Sequence, residues 1–194
     1  DANGVMTWTD PSTLSIGNSG ALEEITEGSN SGYRISGRDA ANYGDIGVNA
    51  VDLSISASPS ATNGASGYAS TAMGSNTTAS GSTSTAMGIS AAAIGTGSTA
   101  MGALTEASGV MSTAMGYFTE ASGFYSTAMG DNTTASGSGS IAMGQFTTAS
   151  GSYSTAMGGS TEASGIGSTA MGGGTEASGD FSTAMGDNTT AKSY

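Results

Sequence analysis

Four glutamates that recur at a fixed spacing are the first residues of this sequence that could do chemistry. Glu106 and Glu120 are 14 residues apart, and so are Glu162 and Glu176. On neighbouring turns of a parallel structure, about 4.8 Å apart, each pair could share a cation. Stacked carboxylates also repel weakly, and solvated ones keep a surface soluble. We favour the solvated interpretation and predict no metal site here.

Methionine thioethers repeat at the same 14-residue interval, at Met73, Met87, Met101, Met115, Met129, Met143, Met157, Met171 and Met185. A thioether ladder could bind a soft metal ion, but the chain has no Cys or His to complete such a site. With no His or Cys present and Ser throughout the chain, no serine can be singled out as a nucleophile. We therefore predict no catalytic residue, no cofactor and no metal. The methionines are assigned to a structural core, because Met fills irregular gaps well.

The composition excludes several classes of protein. The net charge is −12 with only 3 basic residues, which argues against nucleic acid and against docking on anionic lipid. No apolar run approaches the roughly 18 residues of a membrane-spanning helix, so we expect no membrane insertion. The 33 glycines are too many for a helical repeat. Because the chain begins with Asp1, we expect a fragment or a mature form.

From residue 65 to 191 the chain repeats the phrase Ser-Thr-Ala-Met-Gly-x-x-Thr-x-Ala-Ser-Gly-x-x. A repeat without insertions predicts an all-β solenoid whose coils each contribute two five-residue strands and two tight turns. In the first strand, alternation puts Thr and Met on one face and Ser, Ala and Gly on the other. We predict that Thr and Met point inward, since Ile141 replaces one Thr. The Ser/Ala/Gly face would then be an outer strip for another chain.

The second strand of the phrase is predicted to turn its glutamates to water, so its Thr and Ala point inward. Ile94 stands where Ser is expected, which leaves the phase of this strand open. The resulting core is thin for a lone rod, and an obligate oligomer follows as a prediction.

Residues 1–64 do not follow the period and are predicted to form a cap over the open end of the roll, which occupies residues 65–194. Arg34 and Arg38 are interpreted as partners of Asp39 and Asp45 in local ion pairs. The cap is predicted to contain four short strands and one helical turn. The strands are Val5–Thr9, Thr13–Gly17, Tyr33–Ser36 and Val51–Ile55, and the helical turn is Ala21–Ile25.

Several turns between strands carry large apolar residues instead of Gly, Ser or Asn. Tyr117, Phe118, Phe124 and Tyr125 lie in neighbouring turns and are the candidates for a partner-binding surface. Packing between protomers of the oligomer is the alternative, and the sequence does not separate the two.

The phrase Ser126-Thr127-Ala128-Met129-Gly130, with a second Ala-x-Gly half a repeat later, resembles the head repeats of YadA-like trimeric autotransporter adhesins. The resemblance covers residues 65–191, although that family usually has Val and Ile where this chain has Thr and Met. It implies a left-handed parallel β-roll, a homotrimer around a common axis and an extracellular position. It also implies attachment to host matrix or cell surfaces without catalysis. No binding residue carries over.

Three functions remain open at this point. The first is an extracellular adhesin head that binds a host or matrix protein or a glycan. The second is a structural rod of a phage or injection-system tail fibre, or of a secreted filament. The third is an ice-binding solenoid, which the predicted inward direction of the best-kept Thr disfavours.

Overall fold

The structure is a computed structural model that describes residues 22–192. It begins with β1 (Leu22–Glu27), β2 (Asn30–Ile35), a 3-10 helix (Ala40–Asn42), β3 (Val51–Ile55) and β4 (Gly64–Ala65). Long strands follow at 14-residue intervals: β5 (Thr71–Ser75), β7 (Thr85–Ile89), β9 (Thr99–Ala103), β11 (Thr113–Tyr117), β13 (Thr127–Asp131), β15 (Ile141–Gln145), β17 (Thr155–Gly159), β19 (Thr169–Gly173) and β21 (Thr183–Asp187). Short strands alternate with them: β6 (Thr78–Ala79), β8 (Ala92–Ala93), β10 (Glu106–Ala107), β12 (Glu120–Ala121), β14 (Thr134–Ala135), β16 (Thr148–Ala149), β18 (Glu162–Ala163), β20 (Glu176–Ala177) and β22 (Thr190–Ala191).

These strands form two sheets that face each other across the coils. The long strands join β1, β2 and β3 in one sheet of 12 strands, and the short strands form a second sheet of 10. Apart from the antiparallel β1–β2 hairpin, the described strand pairs are parallel. Each residue pairs with its counterpart one repeat later, as Met115 does with Met129. The predicted all-β solenoid with 14-residue coils is therefore confirmed, but the second strand of each coil has two residues and not five.

Alanine, and not methionine, fills the interior of the coils. Ala114 and Ala128 have no exposed surface, and the same holds for nearly every Ala at this position of the long strands. None of the nine repeat methionines is buried, and Met185 is 60% exposed. The predicted Met core is wrong for the single chain, and so is the predicted outer Ser/Ala/Gly strip. Two sheets joined by tight turns leave room inside only for small side chains, and Thr is the largest fully buried one in the coils.

The second strand of the phrase has the orientation that the sequence predicts. Thr119 and Ala121 are buried, whereas Glu120 between them is exposed. Ile94, which left the phase open, is exposed at the outward Ser position and settles it. Ile141 is also exposed, so the Thr position that it replaces in the first strand faces outward.

Glycine after each Met is required by the stacking of the coils. Gly130 has a φ of 127°, and a Cβ there would lie 1.9 Å from the carbonyl oxygen of Gly144 in the next coil. The second glycine rank is equally tight, since a Cβ on Gly123 would lie 2.1 Å from the carbonyl oxygen of Gly137. Any side chain at these ranks would push neighbouring coils apart.

The N-terminal segment begins as a hairpin and not with the predicted helical turn. β1 pairs along its whole length with β2, and Gly28 opens the connecting turn with a φ of 65°. β2 then pairs with β3, whose bounds match the prediction, and β3 pairs with β5. The long-strand sheet is thus continuous, and the division into two domains at residue 64 stays a prediction. The strands predicted within residues 5–17 lie outside the described residues.

A buried arginine organises this cap. Arg34 donates from Nε to Asp52 Oδ2 (3.1 Å), from Nη1 to Glu27 Oε1 (3.1 Å) and from Nη2 to the carbonyl of Gly44 (3.0 Å). Its guanidinium also lies 4.7 Å from the centre of the Tyr43 ring. The ion-pair interpretation holds for Arg34, but its partners are Asp52 and Glu27 and not Asp39 or Asp45.

Candidate functional site

The glutamates of the short-strand sheet stand side by side on its outer face. Glu106 pairs with Glu120, and Glu162 pairs with Glu176. Among the described residues, no three side chains of Asp, Glu, His or Cys come together in a group that could hold a metal ion. Three of these four glutamates are exposed and Glu176 is half-buried, so they make this side of the rod acidic.

The methionines form a continuous row on the outer face of the long-strand sheet. Parallel pairing places Met115 directly between Met101 and Met129, and the same register runs along the roll. The outward Thr of each coil lies two residues before the Met, so a Thr row runs beside the Met row. The Met row is apolar and the Thr row is weakly polar, and both rows face solvent in the single chain.

The four predicted binding residues do not form one surface. Tyr117 is the last residue of the long strand β11 and Phe118 follows it directly, on what we call the first-turn edge. Phe124 and Tyr125 lie between the following short strand and the next long strand, on the second-turn edge. Because two facing sheets join at opposite sides of the coil, the two pairs are separated by its full width.

The first-turn edge carries a small cluster of exposed rings. Tyr117 and Phe118 meet edge to face, with ring centres 4.6 Å apart and an angle of 83° between planes. In the next two coils, Gln145 donates from Nε2 to Asp131 Oδ2 (3.0 Å). Phe146 is exposed beside this link. This edge therefore carries both aromatic and polar contacts.

Both turns contain one residue in the left-handed backbone conformation. Phe118 has a φ of 50° and Tyr125 a φ of 57°. This conformation aims the amide at the preceding coil: Phe118 donates to the carbonyl of Ala103 (3.1 Å) and Tyr125 to that of Val110 (2.9 Å). A residue with a side chain loses about 1–2 kcal/mol in this conformation, and Gly avoids the loss. The large residues are thus kept at a cost to stability.

Sequence reasoning missed that the second-turn edge continues beyond Tyr125. Tyr153 and Phe181 occupy the same turn position in later coils, and both are largely exposed. The signal was in the sequence, since all three positions differ by multiples of the 14-residue period. Without the bounds of the short strand, however, the edge of each turn residue could not be assigned.

The cap's ionisable cluster is closed to ligands. Asp52 Oδ1 accepts from the amide of Ser54 (3.0 Å) and from its hydroxyl (2.6 Å), while Oδ2 accepts from Arg34. Asp52 and Arg34 are buried. This network joins β2 to β3, and its groups bond to one another instead of facing solvent.

A comparison with protein families gives one family model, whose matches recur along the coils. The family model of the YadA head domain repeat, which spans two copies, matches residues 65–91, 79–105, 93–119, 107–133, 121–147, 135–161 and 163–189. The chain belongs to the YadA head family. A search of curated proteins gives no match. The YadA head family forms part of surface-exposed autotransporter adhesins, so membership indicates an adhesin-like extracellular domain.

Family membership also bears on catalysis, and the structure bears on whether a helix could span a membrane. YadA head repeats on a β-solenoid are typical of structural adhesin domains and not of enzymes. Between residues 22 and 192, no helix combines the length and the apolar character needed to cross a membrane.

Proposed function

We propose that this chain is the attachment head of an extracellular surface protein and that it works as a homotrimer. The observation that carries the proposal is the outward Met row on a roll built of YadA head repeats. YadA family proteins form trimers and bind host matrix. The chemistry of the described surface suits adhesion, since it offers apolar and acidic faces without an activated nucleophile.

The trimer packs through the outer face of the long-strand sheet. A soluble single chain rarely leaves so long an apolar row exposed, and covering it removes apolar area from water in every coil. The Ser/Ala/Gly rank cannot serve as the contact, because its Ala side chains are inside the coils. The methionines then form a core between chains in place of the core within a chain that the sequence predicted.

Once the Met face is covered, attachment falls to the surfaces that stay open. These are the acidic outer face of the short-strand sheet and exposed parts of the two turn edges. Their aromatic residues provide contact area, and rings near the centre of an interface often dominate binding energy.

The test is an attachment assay with the full chain coupled to beads. Films of matrix proteins, layers of animal cells and films of neutral polysaccharides provide the target surfaces. We expect wild-type beads to attach to at least one of these surfaces, and beads carrying heat-unfolded chain not to attach. Equal attachment by native and unfolded chain, or none by either, would refute the attachment function.

A second candidate is favoured by one observation, the direction of the threonines. The Thr row of the long strands faces outward, contrary to the prediction that disfavoured ice binding. A flat rank of hydroxyl and methyl groups could order water if the face stays open. Thermal hysteresis of a single-chain species would support this candidate, and its absence would remove it.

A further inference from the structure

From the coil of Tyr125 onward, one turn position of the second-turn edge carries an aromatic ring in every second coil. Tyr125, Tyr153 and Phe181 share one left-handed turn position, two coils apart. Glycine fills the same position in the coils between them, at Gly139 and Gly167. Since stacked strands are about 4.8 Å apart, successive rings recur at about 9.6 Å along the rod. We call these three rings the second-turn aromatic row.

Each intervening glycine makes room for the ring of the following coil. A Cβ on Gly139 would lie 2.9 Å from Cδ1 and 3.1 Å from Cε1 of Tyr153, but 3.9 Å from its Cγ. A Cβ on Gly167 would lie 3.0, 3.1 and 4.0 Å from the same atoms of Phe181. One side of each ring therefore rests on the glycine of the preceding coil, and most of the residue's surface stays open to solvent.

The fold of the single chain does not need these rings. Tyr153 and Phe181 are 72% and 80% exposed, so their burial contributes little to folding. They also occupy a backbone conformation that disfavours side chains, in a rank where glycine already occurs. Backbone strain retained for exposed aromatic residues points to a contact surface.

We propose that the second-turn aromatic row binds an uncharged β-1,4-linked polysaccharide that lies along the rod. Successive sugars in such an extended chain are turned over, so the same face recurs once per disaccharide, a step close to that of two coils. The C–H face of a pyranose stacks on an aromatic face, and the hydroxyls of Tyr125 and Tyr153 can bond to sugar hydroxyls. The net charge of −12 excludes strongly anionic polymers.

A proline-rich peptide is the competing ligand, because a polyproline helix advances about 9.3 Å per turn. Such peptides insert between aromatic side chains that line a groove. Here the Tyr153 ring itself lies in the space over Gly139, between the turn positions of Tyr125 and Tyr153, where such a groove would have to run. The geometry therefore favours a stacked sugar chain. This inference deepens the attachment function by naming its ligand class.

The test is co-sedimentation of the full chain with cellulose, chitin and starch granules. We expect retention on cellulose or chitin but not on starch, whose α-linked chain coils and loses the two-coil step. Tyr153→Gly should bind about tenfold more weakly. It should fold like wild type by circular dichroism, because glycine already occupies this turn position in neighbouring coils. Phe146→Gly, a matched change on the first-turn edge, should bind like wild type.

A second variant tests the two-coil spacing between successive rings. Gly139→Tyr combined with Tyr153→Gly keeps three aromatic rings but moves one of them next to Tyr125. Losing the Tyr153 ring removes the contact that the new Cβ would meet, and circular dichroism checks that the variant folds with Tyr125 beside the new ring. We expect the same loss of binding as in Tyr153→Gly.

Unchanged binding in either variant would overturn the proposal, as would retention of a polyproline peptide without retention of polysaccharide. If beads attach to matrix or cells while no polysaccharide is retained, only this inference fails. If no surface is bound at all, the attachment function fails with it.

Discussion

The cap and the coils share one continuous sheet, but the residues that they bury differ in chemistry. Asp52 pairs in register with Ala72, so a buried charge stands where every coil has an alanine. Arg34 completes that site, and Ile46 and Tyr43 pack nearby as the large buried side chains of the described cap. The coils bury only Ala, Ser, Thr and Gly.

The difference follows from repetition. In the coils, each interior side chain has its own copy about 4.8 Å above and below it. A charge placed there would face like charges, and a large side chain would collide with copies of itself. The cap occurs once, so a single Arg–Asp pair can satisfy its hydrogen bonds there. Buried charge is therefore confined to the end of the stack.

The largest effect is expected from breaking the ion pair of the cap. Arg34→Met leaves Asp52 buried without its partner, which should lower the free energy of unfolding by about 3–5 kcal/mol. Arg34→Met combined with Asp52→Ala restores the residue type of the coils and should recover most of the loss. Chemical denaturation at one protein concentration measures both variants. No recovery in the double variant would mean that the cap does not follow the packing rule of the coils.

A methyl group between two coils should have the next largest effect. Gly130→Ala places a Cβ against the carbonyl of Gly144 and should destabilise the roll by about 3 kcal/mol. Gly159→Ala is the matched control, because no atom lies within 4 Å of the added Cβ. The two variants should differ clearly in melting temperature, and equal values would show that the coils can separate without loss.

The smallest effect is expected for a buried hydroxyl of the coils. Thr133 Oγ1 finds no hydrogen-bond partner among residues 22–192. Thr133→Val should therefore be neutral or stabilising by up to about 1 kcal/mol. Ser126 donates to the carbonyl of Gly123 (2.8 Å), so Ser126→Ala should cost about 1 kcal/mol. A loss in Thr133→Val as large as that in Ser126→Ala would contradict the assignment of unpaired hydroxyls.

The period of the sequence was enough to predict the solenoid, its parallel register and the family, but not which face points inward. Alternation separates Met from Ala without ranking them, and hydrophobicity favours Met as the buried residue. The size of the residues at each repeat position would have identified the buried face correctly. The Thr rank admits Ile141, whereas no coil places a larger residue in the Ala rank of the long strands. A repeat position that is occupied only by small residues therefore points into the interior of the coils.

Non-local contacts account for the other errors. Arg34 lies closer in sequence to Asp39 and Asp45 than to Asp52, and only strand pairing brings it to Asp52. In the same way, Phe118 and Phe124 are close in sequence but lie on opposite edges, because a two-residue strand separates their turns.

Multi-angle light scattering with circular dichroism, on wild type and on Met129→Asp, tests the central claim that Ala packs within chains and Met between them. The account predicts a three-chain mass for wild type. For Met129→Asp it predicts a single-chain mass, because a carboxylate buried between chains costs several kcal/mol. The β spectrum should be unchanged, because the Ala core lies within each chain, in contrast to the obligate oligomer expected from the sequence. Asn132→Ser, a turn change, should leave the trimer intact. A single-chain mass for wild type, or loss of the β signal in Met129→Asp, would contradict the account.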